Sequence, residues 1–179
     1  MSYNRAHRLP TCRGRTLVLC IARFEMRRRC METALANTPP NVLAVQISRD
    51  LGGWANFRTG VLCAPRPVTR RALFVFLHEC AHFALHGKRR QPRHVEEHEA
   101  ERWAHARMRA AGIPVPRLML ENGKRHIRRA IRMALRGGAL KVHTEALRWS
   151  APDRKLATHI LRGKGQWVPC DFAVLLLAP

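Results

Sequence analysis

Acidic residues are scarce in this chain. Twelve Asp and Glu stand against 33 Lys and Arg, for a formal net charge of +21 over 179 residues. An imbalance of that size concerns partners more than fold, and it favours anionic ones. Long apolar runs are missing too. None approaches the roughly 18 residues of a membrane-spanning helix, which excludes a bilayer span. The apolar stretch Leu17 to Ala22 is short and runs directly into Arg23 and Arg27-Arg28-Arg29, which argues against a secretory signal. The six cysteines, at 12, 20, 30, 63, 80 and 170, form no C-x-x-C pair and no regular framework. That scatter fits reduced thiols in a cytoplasmic protein better than a disulfide scaffold. Aromatics are few, and Tyr3 is the single tyrosine.

Against this background stands His78-Glu79-Cys80-Ala81-His82. A chain of this composition contains H-E-x-x-H by chance only about 0.03 times. The flanking sequence predicts a helix: Pro67 suits a first turn, Ala72 to Phe83 is almost unbroken apolar sequence, and Gly87 suits a stop. On that helix His78 and His82 project from one face and can share a metal ion, while Cys80 faces the core. Glu79 lies on the same turn, within reach of a water on the metal. Burying His-Glu-His in so apolar a stretch is costly unless something pairs with it. Zinc is the expected partner. A hydrolytic zinc site takes three protein ligands and keeps one position for water.

The third ligand comes from elsewhere. Residues 95–104 form a strong helix former, with four of the twelve acids in the six positions from Glu96 to Glu101. Glu97 and Glu101 lie four apart on one face. One can bind the metal while the other accepts the ring N–H of a liganding histidine and so sets its tautomer. His98, His94 and His86 compete for the third position, and a solvated acidic helix start is the bland alternative.

These two stretches, His78 to His86 and Glu97 to Ala104, resemble the ImmA/IrrE family of small zinc metallopeptidases. That family pairs H-E-x-x-H with a downstream E-x-x-A-N/D-x-F-A helix. The resemblance implies His78, His82 and Glu97 as zinc ligands and Glu79 as catalytic base, which leaves Glu101 as the acid behind the ligands. It also implies a protein substrate, often a helix-turn-helix repressor. Glu101 stands where the family has Asn or Asp, and Trp103 where it has Phe. The similarity covers roughly residues 42 to 116. Metzincins need Gly and His where this chain has Leu85 and Lys88, which excludes them. SprT-like proteases, which act on DNA-bound protein, are a weaker alternative, since His86-Gly87 comes too early for their ligand. With Tyr3 outside the matched region, His105, His94 or an Arg is expected to stabilise the oxyanion.

The expected fold is α+β: a zincin-like (minigluzincin) core with a short sheet and two metal-bearing helices. Residues 1–40 read as a basic lead closing at Pro39-Pro40, 41–116 as the core, and 117–179 as a basic, mostly helical region. Strands are expected over 41–48 and within 54–63, and a strand or packed tail over 168–177. Between His105 and Gly165, fifteen Lys and Arg meet three acids. There Ile127, Ala130, Ile131, Ala134 and Leu135 mark an apolar stripe, with Arg125, Arg128, Arg129, Arg132 and Arg136 across from it. After Gly137-Gly138 a second helix, Lys141 to Trp149, would permit a helix-turn-helix. Region 117–165 is thus a candidate nucleic-acid contact. A zinc-stabilised, non-enzymatic nucleic-acid binder is the alternative to a hydrolase.

Overall fold

A threonine sets the start of the helix that carries the motif. Thr69 is extended, and its hydroxyl accepts the Ala72 amide at 3.2 Å, satisfying one of the donors a first turn leaves unpaired. The helix therefore begins at Arg70, three residues later than Pro67 suggests. It runs to Ala81 and widens into a π-helical turn, His82–His86, before Gly87. Such wide turns recur at functional sites.

The computed structural model describes residues 14–87, 91–151, 162 and 166–169. Tyr3, Cys12, Cys170, the linker residues 88–90 and the apolar run after Pro169 lie outside them. The elements are α1 (Gly14–Ala36), β1 (Ala44–Ser48), β2 (Trp54–Asn56), β3 (Val61–Pro65), α2 (Arg70–Ala81), α3 (Arg93–Ala110), α4 (Arg117–Arg136), β4 (Lys141–His143), α5 (Thr144–Ser150) and β5 (Trp167–Pro169). The fold is α+β. One sheet has the order β1-β3-β2, with β1 parallel and β2 antiparallel to β3.

Buried β3 packs on α2, and α2 packs in turn on α1 and α3. Leu62 and Ala64 meet Leu73, Phe74, Leu77 and Cys80, with Ala104 and Met108 contributed by α3. The stretch read as a basic lead supplies part of this cluster, because Cys30 and Ala34 of α1 are buried in it. Arg29 adds a hydrogen bond to the Ala111 carbonyl at 2.6 Å, which ties α1 to the end of α3. A second cluster joins Ile127 and Ile131 of α4 to Val142, Ala146, Leu147 and Val168.

The C-terminal region is less helical than its sequence suggests. Gly137 caps α4, but residues 141–143 are extended and pair antiparallel with β5. The His143 ring accepts the Ala146 amide, so the following helix starts only at Thr144 and is seven residues long. With a strand between α4 and α5, no helix-turn-helix forms from these elements. The His143 amide donates to the His94 ring at 3.1 Å, and Arg128 donates to the Ser150 carbonyl at 3.0 Å. Both bonds anchor this unit to neighbouring helices. Among the described residues no helix is long and apolar enough to cross a membrane, and Cys20, Cys30, Cys63 and Cys80 are free thiols.

Leu77 of α2 is fully buried in the cluster that α2 shares with β3 and α3. Leu77→Ala is expected to lower the unfolding free energy by about 2–5 kcal/mol, read from urea denaturation. A loss below about 1 kcal/mol would contradict this packing.

Candidate metal centre

Four-residue spacing stacks His78 and His82, and their rings lie edge to face with centroids 4.9 Å apart. The two Nε2 atoms are separated by 3.2 Å. Glu97 enters from α3, with Oε2 3.2 Å from His78 Nε2 and Oε1 3.7 Å from His82 Nε2. One donor atom from each of the three lies within 4.8 Å of the other two, so His78, His82 and Glu97 form a group that could hold a metal ion. Two imidazole nitrogens and one carboxylate oxygen are a donor set that zinc accepts.

Behind the ligands, Glu101 Oε1 sits 3.4 Å from His78 Nδ1. A carboxylate there holds the proton on Nδ1 and leaves the Nε2 lone pair for a cation. Glu97 is 1% exposed. Its Oε1 is 2.5 Å from the Arg93 guanidinium yet without hydrogen-bond alignment. His78 Nδ1, Glu97 Oε1, Glu101 Oε2 and His105 Nε2 are all buried without an aligned partner. Of these, Glu97 Oε1 is the atom that a cation on His78, His82 and Glu97 would satisfy.

The titration of the metal-free site is consistent with that reading. Burial opposes a charge on His78, but the Glu101 and Glu97 carboxylates outweigh it and hold the imidazole up at about 10. Burial, and then the neighbouring His78 cation, push His82 down to about 3. Burial also works against Glu97, yet its hydrogen bond to His78 and the charges on His78, His82 and His126 hold it low. Burial raises Glu79 to about 7. A proton on His78 thus occupies the position that a metal would take.

Glu79 lines a cavity of about 300 Å³ with Gly53, His78, Glu101, Asn122 and His126. A larger cleft of about 790 Å³, beside Phe57, Phe83 and Trp103, contains none of the site residues. Two glycines make room for the acids. A Cβ at Gly53 would stand 2.7 Å from Glu79 Cγ and 3.0 Å from the Cys63 carbonyl. One at Gly123 would fall on the Glu101 carboxylate, 2.8 Å from Oε1.

The competing histidines have other partners. His86 Nε2 is 3.2 Å from the Glu96 carbonyl. His94 accepts from β4, and His98 lies among the His143 and Trp149 rings. Neither histidine expected at the oxyanion position lines the cavity. His94 is 1% exposed, and His105 packs edge-on against Phe74 behind Glu101, at 5.2 Å. The residue that does line it is His126 of α4, with Nε2 3.3 Å from Glu97 Oε2 and its side chain 57% exposed. Sequence reasoning missed it, since no spacing links a lone histidine in a basic helix to the motif. Gly123 was the available signal. A glycine inside a helix costs about 1 kcal/mol against alanine and implies a close neighbour.

Comparisons with family models, with curated proteins and with solved structures give no match to this chain.

Metal binding at pH 7.5 is expected to release about one proton per ion, from His78, measured by titration calorimetry in buffers of different ionisation enthalpy. His78→Ala, His82→Ala and Glu97→Ala should each lose bound zinc, and zero proton release would contradict the assignment. In the metal-free protein the sign is the opposite of the usual carboxylate case. The raised His78 stabilises the fold fully below pH 6.5 and progressively less as pH climbs towards 10. The stability difference between wild type and His78→Gln, followed by urea melts, should shrink over that window.

Proposed function

We propose that this protein is a zinc-dependent endopeptidase with a zincin-like core of the ImmA/IrrE type, in which His78, His82 and Glu97 hold the ion. The observation that carries this reading is the convergence of those three donors, one of which, His78, lines a cavity together with Glu79. A zinc ion in that position supplies a Lewis acid for the carbonyl and lowers the pKa of water.

The chain's own residues account for the proton movements. Glu79, raised to about 7 by burial, is basic enough to accept a proton from the attacking water. It is acidic enough to return that proton to the leaving amine near neutral pH. His126 presents a ring nitrogen to the same cavity and is the group available to donate to the carbonyl oxygen as negative charge develops there. Glu101 orients His78, and Gly123 leaves the space Glu101 needs. By resemblance the substrate is a regulatory protein of helix-turn-helix type, and free thiols at Cys30, Cys63 and Cys80 support a reducing, cytoplasmic setting.

The alternative, a zinc-stapled binding module, predicts no use for Glu79. Glu79→Gln should keep its zinc and its thermal midpoint, and should lose cleavage of an unfolded protein such as casein by at least about 10²-fold, scored by mass spectrometry of the fragments. Undiminished cleavage in that variant rules out the proposed base. His126→Ala is expected to lower kcat about 10²-fold with little change in zinc content, and an unaltered kcat would remove it from the reaction.

A further inference from the structure

The helix that closes the cavity also carries the densest row of cationic side chains in the described chain. Along α4, Arg125, Arg129, Arg132 and Arg136 are all exposed. Their spacing of four, three and four residues keeps them within about 40° of one line. The row is about 16 Å long at 1.5 Å per residue. Met119, Gly123, Ile127, Ala130 and Ile131 form the buried face of the same helix. Asn122 and His126 face the cavity between that buried face and the row. Arg125 and Arg129 therefore flank the cleft beside Asn122 and His126, and Arg132 and Arg136 continue the row along the helix away from it.

Several of the acidic side chains already have a cation close by in sequence. Arg28 pairs with Glu25 and Glu32, Arg93 with Glu96 and Glu97, Lys124 with Glu121, and Arg148 with Glu145. Among the described residues no salt bridge joins Arg125, Arg129 or Arg136 to a carboxylate; Arg125 donates only to the Asn122 side chain. In a chain of net charge +21 a row of guanidiniums is maintained against self-repulsion, which an external polyanion relieves.

We propose that this row binds the phosphate backbone of a double-stranded nucleic acid, without reading its sequence, and holds it at the rim of the metal cleft. About 16 Å of duplex carries roughly ten phosphates, so every guanidinium has an anion in reach. The guanidinium fork matches phosphate oxygens in two-point contacts. Residues 117–136 include no Phe, Tyr or Trp, so the helix has no platform for stacking unpaired bases. The strand between α4 and α5 leaves no helix-turn-helix there to present a recognition helix to the bases. Binding does not depend on hydrolysis. If the proposed peptidase activity holds, its substrates are polypeptides carried on nucleic acid.

The test uses the full-length protein and a fluorescent 20-base-pair duplex, with anisotropy followed from 50 to 200 mM NaCl. Replacing Arg125, Arg129 and Arg136 by Gln should reduce the slope of log affinity against log salt by about 3, at about 0.9 per phosphate contact. Over that salt range the wild type then loses about 40-fold more affinity than the variant. R129Q alone should reduce the slope by about 1. A control carrying R58Q, R66Q and R71Q, all exposed positions outside α4, should keep the wild-type slope, and a duplex of shuffled sequence should bind equally. Circular dichroism and zinc content of each variant report its folding. An unchanged slope in both α4 variants overturns the proposal, as does an equal drop in the control. Displacement of the duplex by polyglutamate at matched charge overturns it in favour of an acidic protein partner.

Discussion

The structure turns on one buried charge. Glu97 is 1% exposed, and a carboxylate taken that far from water must be met by cations. His78 of α2 and Arg93 of its own helix supply that charge, and the rings of His82 and of His126 on α4 come within 3.7 and 3.3 Å of the carboxylate. These groups belong to three helices that are otherwise held together by apolar packing. Remove the carboxylate and His78 loses a partner that holds it protonated, while Arg93 loses its buried anion. The arrangement of α2, α3 and α4 is therefore both the condition for the site and, through Glu97, partly its consequence.

Charge is distributed to match. The chain is poor in acids, yet four of its twelve lie in six positions of α3. Two of those, Glu97 and Glu101, face inward to the histidines. The excess positive charge is left on outer surfaces, with α4 carrying the densest row. A negative pocket inside a positive shell separates two tasks. The donors that could hold a metal ion lie inside and the arginine row lies outside, so the proposed ion and the proposed polyanion would not compete for the same side chains. Hydrogen bonds from Arg29 and Arg128 to main-chain carbonyls show that some arginines are structural ties and not part of that external field.

Much of the site was legible before any tertiary information. Four-residue spacing within an apolar helix is a local property, so His78 and His82 could be paired from sequence, and the acid cluster singled out Glu97 and Glu101. The α+β class followed from β-branched and apolar runs before a long helical pattern. Other features left no local trace. That α1 belongs to the core depends on Cys30 and Ala34 finding partners more than forty residues away in α2. The break of the C-terminal pattern at β4 depends on pairing with β5 and on a side-chain cap from His143. Neither interaction has a periodicity to detect.

Sequence alone determined the chemistry available: two imidazoles on one helical face, a carboxylate beside the first, an acid-rich helix to follow and a large cationic surplus. Helical periodicity carries that much, because residues four apart meet whatever the rest of the chain does. Tertiary structure decided which acid joins the histidines, that His94 and His105 are engaged elsewhere, and that His126 lines the cleft. Those outcomes depend on how α3 and α4 cross α2, and crossing is set by close contacts such as Gly123 against Glu101, which no single helix encodes.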